Sequence, residues 1–314
     1  MAILFKSTPV SIARWRPFLT RAWPQRDLRW WPDIGGPGSA DRAAIDHALV
    51  WHPEPGLLAS LPNLKLIVSL GAGVDHILRD PELPPEVPIL RLVDPYMTQA
   101  MSEYVVLQVL RLHRQDHVYR AQQASAEWRE HAQKNAAERP VGILGFGQLG
   151  QDAASKLQAL GFDVAGWSRT GRAVPGFVTH GGAAGLDALL ARSEILVSLL
   201  PMTAETEDIL DARLFARLPR GAGIISAGRG WHLVEADLLA ALDSGQLSAA
   251  VLDVFREEPL PPSHPFWRHP RIVVTPHVAA ETHPATAAAI IAQAIDDFDA
   301  GRPVANLIDR ARGY

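Results

Sequence analysis

Short apolar blocks recur along the chain, with polar or turn-rich stretches between them. In the first third they fall at residues 3–5, 48–51, 66–70 and 89–92, separated by helical or turn-rich segments such as 11–22 and 41–46. Apolar runs this short read as strands buried on both faces, and their alternation with helical segments predicts an α/β unit with a parallel sheet. Residues 98–123 then carry no Pro or Gly and place Val105, Val106, Val109, Leu110 and Val118 at helical spacing. That pattern predicts one long helix, long enough to bridge two domains. A second alternation follows, with a strand opening at Val141 and others at 164–167, 195–199, 223–226, 249–254 and 272–275, and helices at 185–192, 205–215 and 235–243. An Ala/Ile-rich helix at 284–298 carries the chain back toward the first unit and leaves 301–314 as a tail.

The strand at Val141 runs into Gly145-Phe146-Gly147-Gln148-Leu149-Gly150, and a helical pattern with Ala153, Leu157 and Leu160 follows until Gly161. Strand, Gly-x-Gly-x-x-Gly and helix together form the dinucleotide fingerprint. Gly145 permits the tight turn, Gly147 lets backbone approach a pyrophosphate, and Gly150 lets the helix pack on the strand. The phosphates then meet free N–H groups at a helix N-terminus.

The next strand suggests which dinucleotide is bound. NAD-binding units carry an acidic residue at its end, bonded to the ribose 2′-OH. Here the strand ends in Ser168-Arg169-Thr170, and the acid nearby, Asp163, opens the strand at the wrong side. A guanidinium pairs bidentately with a 2′-phosphate that a carboxylate would repel. Arg169, with the Ser168 and Thr170 hydroxyls and Arg172, therefore points to NADP(H) as preferred cofactor, NAD(H) remaining possible.

Composition narrows the classes. A length of 314 residues fits about two domains. A net charge of −4 offers no electrostatic footprint for nucleic acid or an anionic membrane. There is no Cys, which excludes disulfides and thiolate chemistry. The N-terminal stretch reads as a strand rather than a signal-peptide core, and no apolar run approaches a membrane span, so a cytoplasmic location is expected. No metal site is expected.

Three polar residues at successive strand ends carry the chemistry. Arg229 lies between two glycines in Ser226-Ala227-Gly228-Arg229-Gly230, free to clamp a carboxylate with its planar fork. Glu258 follows Leu252-Asp253-Val254-Phe255, and His277 lies in Thr275-Pro276-His277. A His with a carboxylate partner is an acid/base device, because the carboxylate orients the ring and stabilises the imidazolium. After a nucleotide fingerprint, the set points to a dehydrogenase.

With these motifs in view, the chain resembles the D-isomer-specific 2-hydroxyacid dehydrogenases, and within them the glyoxylate/hydroxypyruvate reductases. The matching residues are 71–75, the fingerprint, Trp167-Ser168-Arg169, Leu199-Leu200-Pro201, Ala227-Gly228-Arg229-Gly230, 235–242, 252–255 with 258–261, 267–270 and 309–314. The resemblance spans essentially the whole chain, although the first 60 residues carry little of it, and Ser226 stands where the family usually has Asn. It implies two doubly wound parallel-sheet domains around a cleft, with a Rossmann NAD(P)-binding domain (99–284) inserted in a flavodoxin-like substrate domain (1–98 plus 285–314).

The resemblance also assigns roles. Arg229 and the backbone N–H groups of Ala72, Gly73 and Val74 would hold the substrate carboxylate, and Trp51 would line a small pocket. His277 would protonate the 2-oxo oxygen with Glu258 behind its ring. Asp253 would face the nicotinamide carboxamide, and Leu200, Pro201 and Ala227 would line the cofactor. The implied reaction is NADPH-dependent reduction of a small 2-oxo acid, glyoxylate or hydroxypyruvate, by a homodimer, with Trp128 a candidate interface residue. Formate dehydrogenases of this fold use Gln where Glu258 stands, which argues against them. Reduction of another 2-oxo acid is one alternative, and a non-catalytic NADP-sensing partner protein is another.

Overall fold

The computed structural model describes residues 2–313, so Tyr314, the last residue of the terminal motif, lies outside the described residues. The chain forms two compact units: one takes the chain up to Met97 together with that from Glu281 onward, the other is Thr98–Ala280.

The first unit is built on a five-stranded parallel sheet of β1 (Ala2–Lys6), β2 (Asp27–Trp30), β3 (Ile45–Val50), β4 (Leu66–Ser69) and β5 (Ile89–Arg91), in the order β2-β1-β3-β4-β5. Every residue of β1, β3 and β4 is buried, as expected for strands covered on both faces. Thr8 caps the Pro9–Ala22 helix by accepting from Ser11 N–H, and this helix packs against the returning Pro284–Asp299 helix.

The second unit holds a seven-stranded parallel sheet: β6 (Val141–Leu144), β7 (Val164–Ser168), β8 (Val178–Gly181), β9 (Ile195–Ser198), β10 (Ala222–Ser226), β11 (Leu247–Leu252) and β12 (Ile272–Val274). Their order is β12-β11-β10-β9-β6-β7-β8. Side chains alternate between two cores. Leu144, Leu196, Ile224 and Leu252 face a cluster with Leu190, Leu214, Phe215 and Leu238, whereas Ile143, Val197, Ile225 and Val251 face one with Val105, Val109, Ala153 and Leu157. The sheet is thus covered by helices on both sides, the doubly wound arrangement.

Four elements differ from the sequence pattern. β2 and β8 were not legible, because both are short edge strands with an exposed first residue and half-buried positions after it. The long helix is two: Pro95–His113, then Asp116–Ala124, broken where Gln115 takes φ +58°. The Gln115 side chain donates to the Ala132 carbonyl at 2.8 Å, which helps fix that break without Gly or Pro. The helix expected at 205–215 shrinks to Ala212–Arg217. Asp211 caps its start, Asp208 has φ +56°, and Leu210 pairs with Leu233 as an isolated bridge.

Candidate active site

The glycine loop fits a dinucleotide. Gly145 has φ +92°, and a Cβ there would lie 2.6 Å from the Leu199 carbonyl oxygen. A Cβ on Gly150 would lie 2.3 Å from the Gly145 oxygen, so any side chain would push the Gln148–Ala159 helix off β6. Gly147, the N-cap of that helix, faces open space and provides no side-chain cap. Uncapped N–H groups beside an open cradle are what a pyrophosphate requires. The Phe146 ring is buried in the core, over Gly166 and 5.3 Å from Phe177. The ring therefore fills the sheet interior, and Phe146 presents only backbone to the loop. Gln148 is exposed and Leu149 half-buried.

Arg169 and Thr170 are exposed just past β7, beside half-buried Ser168. The Arg169 charge reaches Glu205. That exposed carboxyl is held below the usual range first by the Thr203 hydroxyl and its own backbone, with Arg169 adding to them. Asp163 is tied instead to Arg192. Leu200 and Ala227 are buried and Pro201 half-buried, at the ends of β9 and β10.

Arg229, Glu258 and His277 follow β10, β11 and β12, which are adjacent and parallel, so the three residues share one edge of the sheet. A Cβ on Gly230 would lie 1.9 Å from the Phe255 carbonyl carbon, so only glycine lets these two loops touch. The Arg229 side chain is half-buried and donates to the Gly228 carbonyl at 2.8 Å. His232, fully buried, accepts from Arg229 N–H through Nδ1 at 3.3 Å. Its Nε2, 3.2 Å from the Pro201 carbonyl, is then the protonated nitrogen, and the ring braces two strand-end loops.

His277 Nδ1 lies 2.8 Å from Glu258 Oε2, and Oε1 of the same carboxylate accepts from Phe255 N–H at 2.8 Å. Burial pushes the Glu258 carboxyl up. The hydrogen bonds from His277 and Phe255, then the charges of His277 and Arg229, outweigh it and hold the group below the usual carboxylate range. The pair therefore has a fixed acceptor on one ring nitrogen and leaves Nε2 for chemistry.

His277 itself has φ +55°, a left-handed conformation costing about 1–3 kcal/mol for a residue of this kind. Asp253, 1% exposed, holds it there. Its carbonyl accepts from His277 N–H at 2.8 Å, and its carboxylate accepts from Thr275 Oγ1 at 2.6 Å, Val278 N–H at 3.0 Å and Ala279 N–H at 2.9 Å. The resemblance set Asp253 against a nicotinamide carboxamide. In the structure three donors of the His277 turn surround this carboxylate, two on Oδ1 and one on Oδ2.

In the first unit Trp51 is half-buried just past β3, with its ring over Gly71 and 4.5 Å from the His76 ring. Ala72 and Gly73 are half-buried and Val74 buried in the loop after β4. Ser226 Oγ is buried without a hydrogen-bond partner. Sequence reasoning missed His232, Tyr104 and Thr275. Only Thr275 carried a signal, its place two residues before His277.

A doubly wound sheet with this loop, and with Arg, Glu and His on one edge, defines a nicotinamide-dinucleotide oxidoreductase. Residues 106–279 match the family model described as D-isomer specific 2-hydroxyacid dehydrogenase, NAD binding domain. A D-isomer specific 2-hydroxyacid dehydrogenase from Xanthobacter autotrophicus, solved with NADPH and MES, is 42% identical with TM-score 0.93, covering 100% of this chain and 99% of that one. An NADPH-dependent glyoxylate/hydroxypyruvate reductase from Sinorhizobium meliloti, solved with NADP and sulfate, is 43% identical with TM-score 0.92, each chain covered in full at 100%. A probable 2-hydroxyacid dehydrogenase from Rhizobium etli, solved with NADP, HEPES and tartaric acid, is 38% identical with TM-score 0.91, covering 100% and 99%. The chain belongs to the D-isomer specific 2-hydroxyacid dehydrogenases, NAD(P)-dependent enzymes. No helix among the described residues is long and apolar enough to cross a membrane.

Proposed function

We propose that this enzyme reduces small 2-oxo acids, glyoxylate to glycolate and hydroxypyruvate to D-glycerate, with NADPH. The observation that carries the reading is the His277–Glu258 pair, whose 2.8 Å contact leaves Nε2 as proton donor, one strand end removed from Arg229. The relative from Sinorhizobium meliloti, similar over its full length, supports the substrate class.

Arg229 holds the substrate carboxylate with its fork. Nε2 of His277 gives its proton to the 2-oxo oxygen, and Glu258 steadies the imidazolium before that transfer and the ring after it. When bound, the dinucleotide would supply the hydride that the 2-oxo carbon requires. One proton and one hydride thus convert the 2-oxo acid to the 2-hydroxy acid, and solvent reprotonates His277. The glycine loop, the Gly147 N-cap and Arg169 hold the dinucleotide, with Arg169 on the 2′-phosphate. Trp51 and the backbone of Ala72, Gly73 and Val74 are the proposed substrate-binding elements of the first unit. The proposed oligomer is a homodimer, as the family resemblance implies, with Trp128, 96% exposed, as the candidate interface residue.

The test is a steady-state panel of NADPH and NADH, each against glyoxylate, hydroxypyruvate, pyruvate and a phenyl-bearing 2-oxo acid. The highest kcat/KM is expected for NADPH with glyoxylate or hydroxypyruvate. A preference for the phenyl-bearing acid would overturn the substrate, and a preference for NADH the cofactor.

A further inference from the structure

Tyr104 stands on the Pro95–His113 helix, not on the strand-end loops that carry Arg229, Glu258 and His277. Its hydroxyl lies 2.7 Å from Oγ1 of Thr275, and that oxygen lies 2.6 Å from Oδ1 of Asp253. The same carboxylate accepts the N–H groups of Val278 and Ala279, and the Asp253 carbonyl accepts that of His277. A continuous chain of hydrogen bonds therefore runs from the helix to the backbone of His277, Val278 and Ala279.

The proton inventory fixes its direction. A carboxylate only accepts, so Thr275 gives its single hydroxyl proton to Asp253, and its oxygen is left to accept from the phenol. Burial pushes the Tyr104 phenol up; the Thr275 hydrogen bond opposes this, the Asp253 charge adds to it, and the net shift is upward. Tyr104 therefore keeps its proton at neutral pH and is the donor of this contact. Both hydroxyls brace Asp253, and Asp253 keeps His277 at φ +55°. Without that brace the backbone can relax toward the region that L residues prefer, and Nε2 swings away from its working direction.

We infer that Tyr104 and Thr275 are positioning residues for the reduction, holding through Asp253 the left-handed backbone that aims His277 at the substrate. The inference rests on the proposed role of His277 as proton donor. It reaches residues that touch neither substrate nor cofactor, and it predicts a loss in turnover rather than in cofactor binding.

The test compares Tyr104→Phe, Thr275→Val, Thr275→Ser and the double variant Tyr104→Phe/Thr275→Val. Tyr104→Phe should lower kcat for glyoxylate reduction about 2- to 10-fold, the worth of one neutral hydrogen bond, with KM for NADPH unchanged. Thr275→Val should cost more, about 10- to 100-fold, because it strands both neighbours, and Thr275→Ser should restore most of kcat. The double variant should be no worse than Thr275→Val alone, since both act through one link. Amide exchange at Val278 and Ala279 should quicken in Thr275→Val and recover in Thr275→Ser. Multiplying kcat losses in the double variant, or a loss confined to KM for NADPH, would overturn the inference. So would unchanged exchange at Val278 and Ala279 in Thr275→Val, a readout that needs no turnover. If wild-type enzyme reduces no 2-oxo acid, the functional proposal falls, and the exchange result alone still decides whether the chain holds the His277 turn.

Discussion

Glu258 Oε2 sits 2.8 Å from Nδ1 of His277, so the ring is held at one nitrogen while the other remains available. Glu258→Gln keeps a hydrogen-bond partner but removes the charge that stabilises an imidazolium. The kcat for reduction should fall about 10- to 100-fold, the worth of a hydrogen bond to a charged group. His277→Ala should be nearly inactive at every pH. Steady-state kinetics of both variants check this, and wild-type kcat in Glu258→Gln would show that the ring relies on another partner.

The same carboxyl has a consequence for stability. Its folded value lies below the ordinary 4.5, because the contacts from His277, Phe255 and Arg229 outweigh burial. A group depressed in this way contributes stability above its unfolded value and loses it as the pH falls through the folded one. The Tm advantage of wild type over Glu258→Gln should thus be full at about pH 7 and shrink as the pH drops below about 4.5. Melting curves across that range measure it. A gap independent of pH would show that the carboxyl is not depressed.

Arg169 is the group proposed for the 2′-phosphate. Arg169→Ala should raise KM for NADPH about 10- to 100-fold, the worth of a charge-assisted bidentate contact, and leave KM for NADH nearly unchanged. Equal losses with both cofactors would place the guanidinium elsewhere.

Arg229→Lys keeps the charge but not the fork. Turnover should fall by at least about 10-fold, because an ammonium cannot reproduce two parallel hydrogen bonds to a carboxylate. Near wild-type kcat/KM for glyoxylate in this variant would remove Arg229 from the clamp.

The sequence by itself determined what depends on neighbours along the chain. The glycine loop was legible because its glycines fall at fixed spacing within one stretch of chain, with Gly145 at φ +92° and Gly150 packed against its carbonyl. The buried strands were legible because both faces are apolar, and the Glu235–Asp243 helix agrees with its pattern to the residue. Edge strands β2 and β8 were not, since one side of an edge meets solvent and the apolar signal thins. Gln115 broke a helix by a contact with Ala132 that no propensity encodes. The tertiary structure alone decided that β10, β11 and β12 lie side by side, which turns three separate strand ends into one site. It also decided that His277 adopts φ +55° and that Tyr104 meets Thr275, 171 positions away in sequence. Strand order and left-handed backbone are set by packing and by hydrogen bonds between distant segments, and a linear pattern carries no record of either.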